Sequence, residues 1–371
     1  MEPIRILHVV TSLGRGGLEN MLMNFYRKID RKKVLFDFLV HKRTDSGFEN
    51  EVLSLGGKIF DAPKRSASNI LGYVNGLEVF FKNHSEYKIV HCHINTLSVF
   101  PLYAAKKAGV PVRIAHSHTA KTESGHKAVF KTVLRMFVNR FCNYRFACGE
   151  EAGKYLFGKK MFDLGEVTVI RNGIECKLFA FDEEKRKETR KKLRLQENET
   201  VLCHVGRFDI QKNQIFLAKI FLEYNKRVKN SVMLFIGDGE RRHDVSDFVI
   251  KNNIESKVIF LGVVPNVSDF LQAADVLVFP SFFEGLPLAL VEAQANGLSV
   301  FASDAISKEV DVSETVRFLP LEIGAEGWAK ELQKATPFKR NDNIEKIRSG
   351  GYDSVQSAEY LQKFYLEKWC L

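Results

Sequence analysis

Two carboxylates, Glu284 and Glu292, are separated by the seven residues of the apolar run from Gly285 to Val291. Gly285 and Pro287 predict a tight loop that opens a helix, because proline suits the first helical turn, where its missing N–H has no partner to lose. Gly297 then ends that helix. Glu284 falls in the loop just ahead of the helix N-terminus, and Glu292 lies about one turn inside at 3.6 residues per turn. Backbone N–H groups without intrahelical partners point out between them and attract anions, phosphates above all. One carboxylate is then placed to meet the uncharged part of a phosphorylated ligand, and the other its hydroxyls.

A second candidate is the stretch from Gly206 to Asn213, which holds Arg207 and Lys212 five positions apart. In a strand-to-helix loop such a pair grips a diphosphate, the guanidinium through a planar fork and the ammonium as a compact charge. Near the start of the chain, Gly14, Gly16 and Gly17 allow a backbone to approach a ligand closely, with N–H groups at the following helix start. Their spacing is not the GxGxxG of a dinucleotide site, and a plain tight turn is the other reading. Two HxH pairs, His91 with His93 and His116 with His118, each end a strand, where residues two apart share a face. Hydrogen bonding to a polar substrate is their plainest functional role, with packing equally open to His91 and His93. Zinc lacks a third ligand near either pair, so no metal is expected.

The elements that must position these residues follow from alternating patterns. Short β-branched runs at 4–10, 34–40, 88–93, 112–116, 144–148 and 167–171 alternate with amphipathic helical patterns, the signature of a parallel sheet. A second series runs through 201–205, 232–236, 258–261, 276–279, 300–302 and 316–319. The chain therefore reads as α/β with an N-terminal domain over residues 1–171 and a C-terminal domain over 199–353. Residues 172–198 read as a linker and an exposed charged helix, and residues 354–371 as a terminal helix that packs back on the N-terminal domain. Ligands of open parallel sheets bind beyond the carboxyl ends of the strands, so a cleft between the two domains is expected to hold the site.

A chain of 371 residues with 45% hydrophobic content is globular and long enough for two cores. Its formal charge of +10 suits an anionic partner without choosing among nucleic acid, lipid and phosphorylated metabolites. Six scattered cysteines form no CxxC pair and read as reduced. No signal peptide and no run long enough to span a bilayer is visible, which predicts a cytoplasmic protein. Lys127, Lys131 and Arg135 recur every four residues in an aromatic-containing helical pattern. That pattern suits either an anionic bilayer surface or an ordinary core-facing helix with a solvated back.

Together the glycine loop, the Gly206-Arg207 and Lys212 pair, Gly237-Asp238-Gly239, Ala274-Asp275 leading to Pro280-Ser281, and the two glutamates resemble the retaining glycosyltransferases of family 4 over nearly the whole chain. The wording is closest to bacterial members that build capsular and exopolysaccharide repeat units. The resemblance implies the GT-B fold, two facing Rossmann-like domains with a cleft between them. It also implies a nucleotide diphosphate sugar donor, most commonly uridine-linked, and a glycan or polyprenyl-diphosphate-linked acceptor met at the inner membrane face. It assigns Arg207 and Lys212 to the donor diphosphate, Glu292 to the ribose and Glu284 to the sugar hydroxyls. Gly16, Gly17, Gly285, Leu286 and Leu288 complete the donor pocket, and His118 is the active-site histidine. No cofactor, no metal and no nucleic-acid partner is implied. Two other readings compete, a GT-B sugar-nucleotide epimerase and a non-catalytic basic scaffold. Ser299 and the glycine-free loop 304–309 depart from the family pattern at positions that bear on donor preference.

Overall fold

The computed structural model describes residues 2–14, 16–44, 47–66, 69–118, 126–284 and 286–370, the side chains of 126–133 excepted. The chain divides into two compact units, Met1–Gly173 with Ser354–Leu371, and Ile174–Asp353. The first holds seven strands: β1 (Ile4–Val10), β2 (Val34–Val40), β3 (Ile59–Asp61), β4 (Ile89–Cys92), β5 (Val112–Ser117), β6 (Tyr144–Ala147) and β7 (Thr168–Val169). They pair in the order β3-β2-β1-β4-β5-β6-β7, every pair parallel. Such strands are apolar on both faces because helices cover both. Ile6 and Val10 of β1 pack with Phe25 of helix Gly17–Lys28 and with Leu361 and Tyr365 of helix Ser354–Trp369. Leu7 and Val9 face the other way, toward Tyr73 and Leu77 of helix Ile70–Asn83.

The second unit repeats the plan with β8 (Thr200–Val205), β9 (Ser231–Ile236), β10 (Val258–Gly262), β11 (Val276–Phe279), β12 (Ser299–Ser303) and β13 (Val316–Leu319). Their order is β10-β9-β8-β11-β12-β13. In both sheets the chain winds outward from the first strand in one direction, then returns to that strand's other side and winds the opposite way. The reversal falls between β1 and β4 in one unit and between β8 and β11 in the other. Loops that leave the carboxyl ends of those four strands diverge and leave a crevice, which is where open α/β sheets bind ligands. The glycine loop follows β1, His93 follows β4, the Arg207–Lys212 loop follows β8, and Glu284 lies in the loop after β11.

Most strand boundaries match the alternation in the sequence to within a residue or two. Strand β3 has no such signal, being three residues at the sheet edge with only partial burial. The charged helix differs more. Glu183–Lys192 belongs to the second unit, and it is not simply exposed, because the Arg190 side chain is 1% accessible. Arg186 and Arg190, four apart on one face, both pair with Asp275, at 2.7 and 2.9 Å. Arg190 also donates to the carbonyls of Ala273, Gln196, Glu197 and Glu199. The helix is thus docked by guanidinium groups that satisfy carbonyls and a carboxylate, a mode that a count of apolar residues does not detect. Asp275 accepts in addition the Val201 N–H at 2.7 Å, which ties β8 to the turn before β11.

Removing one partner of a buried ionic cluster strands the charge of the others. Asp275→Ala should therefore lower the stability of the second unit by about 3 kcal/mol. Urea unfolding read by the fluorescence of buried Trp328, in a background with Trp369→Phe, checks this, and an unshifted transition would refute it.

Candidate active site

The loop after β8 is shaped by its backbone. A Cβ on Gly237 would lie 2.1 Å from the Gly206 carbonyl oxygen, and one on Gly239 would lie 2.4 Å from that of Phe208. Only glycine lets the loops after β8 and β9 touch main chain to main chain, and Gly237 also sits at φ +132°. Asp209 accepts the Lys212 N–H at 3.0 Å, and Asn213 takes the left-handed conformation at φ 57° to open helix Gln214–Arg227. Asparagine tolerates that region better than other non-glycine residues. The Asn213 amide donates to the Pro280 carbonyl and the Gln211 amide to that of Phe283, so the loop after β8 is sewn to the loop after β11.

The result brings Lys212 and Glu284 together. Their charged atoms are 2.7 Å apart, with the side chains 19% and 8% accessible, and the Lys212 ammonium lies 4.8 Å from the centre of the Phe279 ring. Arg207 is not in this pair. Its side chain is 78% accessible and its Nε donates to Asp209 at 3.1 Å. Past Glu284, Gly285 lies outside the described residues, Leu286 is half-buried, and helix Leu288–Ala295 begins after Pro287. Proline occupies the cap rather than the first turn, and no side chain caps this N-terminus, so its first amides are open to an anion. Gly297 ends the helix at φ +78°, pressed against the Asn341 backbone.

Glu292 sits on that helix. Among the described residues no hydrogen bond or ion pair reaches its carboxyl, and burial pushes its pKa from 4.5 up to about 7. A carboxylate so placed gains from hydroxyls that donate to it, which is what a ribose diol offers.

In the first unit, helix Gly17–Lys28 starts at Gly16, again with no side-chain cap, and a Cβ at Gly17 would meet open space. Arg15 lies outside the described residues. Strand register then does what the HxH spacing alone does not. His8 pairs with His91 across β1 and β4, and β4 pairs with β5 so that His93 follows beside His116. His8, His91, His93, His116 and His118 stand together under helix Ser354–Trp369, linked by ring nitrogens. His8 Nδ1 meets His93 Nε2 at 3.0 Å, and His93 Nδ1 meets His118 Nε2 at 2.9 Å. His91 Nε2 meets His116 Nδ1 at 3.2 Å, and His91 Nδ1 meets the Tyr365 hydroxyl at 2.7 Å. Asn95, at φ 48°, accepts the His118 N–H at 2.9 Å. Burial lowers the pKa of all five, to about 3 for His8 and His118, so the rings are neutral at pH 7. His118 alone of the five is partly exposed.

Sequence reasoning missed His8, Asp209, Asn213 and Phe279. His8 alone carried a readable signal, since it sits in β1 at the same face parity as Ile6 and Val10. Of the basic stripe, the Lys127 and Lys131 side chains lie outside the described residues. Arg135 is half-buried, donating to the Tyr155 carbonyl at 2.8 Å and covering the Tyr155 ring at 5.3 Å. Both of these contacts are made within the domain's own packing. Among the described residues no helix is long and apolar enough to cross a membrane.

Two doubly wound parallel domains in series, each carrying its conspicuous residues at the reversal of its own strand order, define the GT-B class. The chain matches the structure of Anabaena HepE in complex with UDP at a TM-score of 0.75, over 98% of this chain and 100% of that one, with 19% sequence identity. Residues 15–178 match the Glycosyltransferase Family 4 model and residues 185–314 the Glycosyl transferases group 1 model. The chain is 34% identical to the putative glycosyltransferase EpsF of Bacillus subtilis (strain 168), over 97% of this chain and 96% of that protein. It is 32% identical to an Escherichia coli UDP-Gal:alpha-D-GlcNAc-diphosphoundecaprenol alpha-1,3-galactosyltransferase, over 76% of each chain. The protein belongs to glycosyltransferase family 4 and is an enzyme that transfers glycosyl groups, which sets aside the epimerase and the scaffold.

A raised carboxyl pKa means the folded state holds the proton more tightly than the unfolded one. Wild type therefore loses stability, relative to Glu292→Gln, as pH climbs from 4.5 through about 7. The variant should be the more stable at pH 8 by about 3 kcal/mol, and no more stable at pH 4. Thermal unfolding across that range measures it, and a pH-independent difference would remove the assigned burial cost.

Proposed function

We propose that this glycosyltransferase moves a hexosyl group from a uridine diphosphate sugar to a polyprenyl-diphosphate-linked glycan, with retention of anomeric configuration, in bacterial capsular or exopolysaccharide synthesis. The Lys212–Glu284 pair beside an uncapped helix N-terminus carries the reading. In a nucleotide sugar the ring hydroxyls lie one bond system away from the β-phosphate. A cation for the phosphate and a carboxylate for the hydroxyls must then be neighbours, as these two are at 2.7 Å. Names among the relatives support the substrate classes. The Escherichia coli enzyme uses UDP-Gal and a diphosphoundecaprenol acceptor, and a Campylobacter jejuni relative, 35% identical over 26% of this chain, is named for a PP-undecaprenol acceptor.

In this mechanism the bond from the anomeric carbon to the β-phosphate oxygen breaks first, through an oxocarbenium-like state. Lys212, Arg207 and the open amides of helix Leu288–Ala295 hold the charge left on the diphosphate, so the step needs no metal from the protein. Glu284 accepts hydrogen bonds from the sugar hydroxyls. Glu292 accepts from the ribose, and backbone at Leu286 and Leu288 supplies further donor contacts. The acceptor oxygen attacks from the face the phosphate leaves, and its proton passes to the departing phosphate oxygen. His118 donates a hydrogen bond to a sugar oxygen from its outward nitrogen. The enzyme works at the cytoplasmic face of the membrane as a peripheral protein, and Met136 and Phe137, 74% and 43% exposed, suit contact with lipid there.

Glu284→Gln should bind UDP within about threefold of wild type yet lose at least tenfold in turnover, since a charged hydrogen bond is worth roughly 1.5–3 kcal/mol. Lys212→Gln should weaken UDP binding by about 10- to 150-fold, and Arg207→Gln by less, given its exposure. Calorimetry and donor-release rates measure both, and undiminished turnover in the Glu284 variant at saturating substrate would sink the assignment. The anomer of the product, read by NMR, tests retention. Met136→Ser with Phe137→Ser should reduce retention on anionic vesicles without changing UDP affinity, and unchanged vesicle binding would refute the peripheral contact.

A further inference from the structure

We propose that His93, His116 and His118 form a binding site for a divalent transition-metal ion of the zinc class. One ring nitrogen of each lies within 4.8 Å of the others. A tetrahedral ion with nitrogens at 2.0–2.1 Å separates its ligands by roughly 3.3 Å, so adjustments of several tenths of an ångström to about an ångström assemble the three. His93 Nδ1 and His118 Nε2 already face each other at 2.9 Å.

The observation that points to a ligand is His116 Nε2. It belongs to a residue 1% exposed and has no hydrogen-bond partner. A buried ring nitrogen without a partner is costly, and coordination is one way to recover that cost. The other nitrogens of the trio are already oriented as ligands need. If His116 Nε2 coordinates, its Nδ1–H donates to His91 Nε2, and His91 Nδ1–H donates to the Tyr365 oxygen. If His93 Nδ1 coordinates, its Nε2–H donates to His8 Nδ1. His116 and His93 then each present a lone pair, with the tautomer set from behind by a second ring, the arrangement that tunes metal-bound histidines. The neighbouring trio His8, His91 and His93 is also within reach of an ion and His8 Nε2 is likewise unpartnered, but all three of its rings are buried. The mouth of the cluster, where His118 is partly exposed, is the accessible choice. Among the described residues no carboxylate acts on these rings, so the fourth position falls to water, hydroxide or another anion on the His118 side.

The ion site stands without the transfer mechanism. An ion on His118 Nε2 leaves the outward ring nitrogen as the donor of the proposed sugar contact, so the site is tested by ion binding itself and not through transfer. The test uses untagged full-length protein stripped with a chelator, then titrated with Zn²⁺ in equilibrium dialysis and with Co²⁺ by visible absorption. One Zn²⁺ per chain and tetrahedral-type Co²⁺ bands are expected. His118→Ala, at the exposed edge, should raise the dissociation constant at least about tenfold, and Tyr365→Phe, which removes the end of the supporting chain, by about tenfold. Glu284→Gln should bind the ion as wild type does. No saturable binding, or binding unchanged in His118→Ala, would overturn the site.

Discussion

Parallel pairing obliges every strand of a sheet to end on the same edge, so the loops that leave those ends are gathered there whatever their distance along the chain. The obligation holds in both units of this enzyme. At β1 and β4, and again at β8 and β11, winding reverses and two loops part, leaving backbone amides and side chains without a covering crossover. Glycines at 206, 237 and 239 allow adjacent loops to close on one another main chain to main chain. Nearby stand groups that ordinary packing leaves paired: Glu292 with no partner among the described residues, an ammonium shared with one carboxylate, and a helix N-terminus without a side-chain cap.

Those groups are held by interactions that have nothing to do with ligand. Asp275 collects two guanidinium groups and a strand amide. Arg340 stacks at 4.2 Å on Phe181 and donates to the carbonyls of Leu271, Gln272, Ala274 and Asn296. The second cluster joins the C-terminal cap of helix Val267–Ala273 to that of helix Leu288–Ala295, the helix that carries Glu292. Rigid support of this sort is what a site needs if its charges are to be in place before the ligand arrives.

The histidine cluster shows the same economy in the other unit. Five of the ten histidines in the chain share one sheet face, neutral because burial penalises their charged form. Neutral imidazole has one donor and one acceptor, so rings in a row can satisfy each other only with a defined direction of donation. Helix Ser354–Trp369 supplies Tyr365 to one end of the row although it is more than two hundred residues away in sequence. A terminal segment is thereby made part of the interior beneath the candidate site.

Much of this was open to reading from the sequence alone. Alternating apolar runs determine which segments become strands and that they lie parallel, because burial on both faces needs apolar side chains on both. Residue type and local spacing likewise placed Glu284 ahead of a helix and Glu292 within it, since Pro287 and Gly297 act on their own neighbours. Strand β3 was too short to show a period. The docked face of helix Glu183–Lys192 was invisible because arginine reads as solvent-seeking until a carboxylate and carbonyls are set opposite it. Which charges meet was decided only by the tertiary structure. Lys212 finds Glu284 rather than Arg207, Arg135 is taken by Tyr155, and the two HxH pairs gain their companions through strand register. Local sequence sets backbone conformation within a few residues, whereas contacts between distant side chains depend on strand order and register, which emerge only when the whole sheet closes its hydrogen bonds.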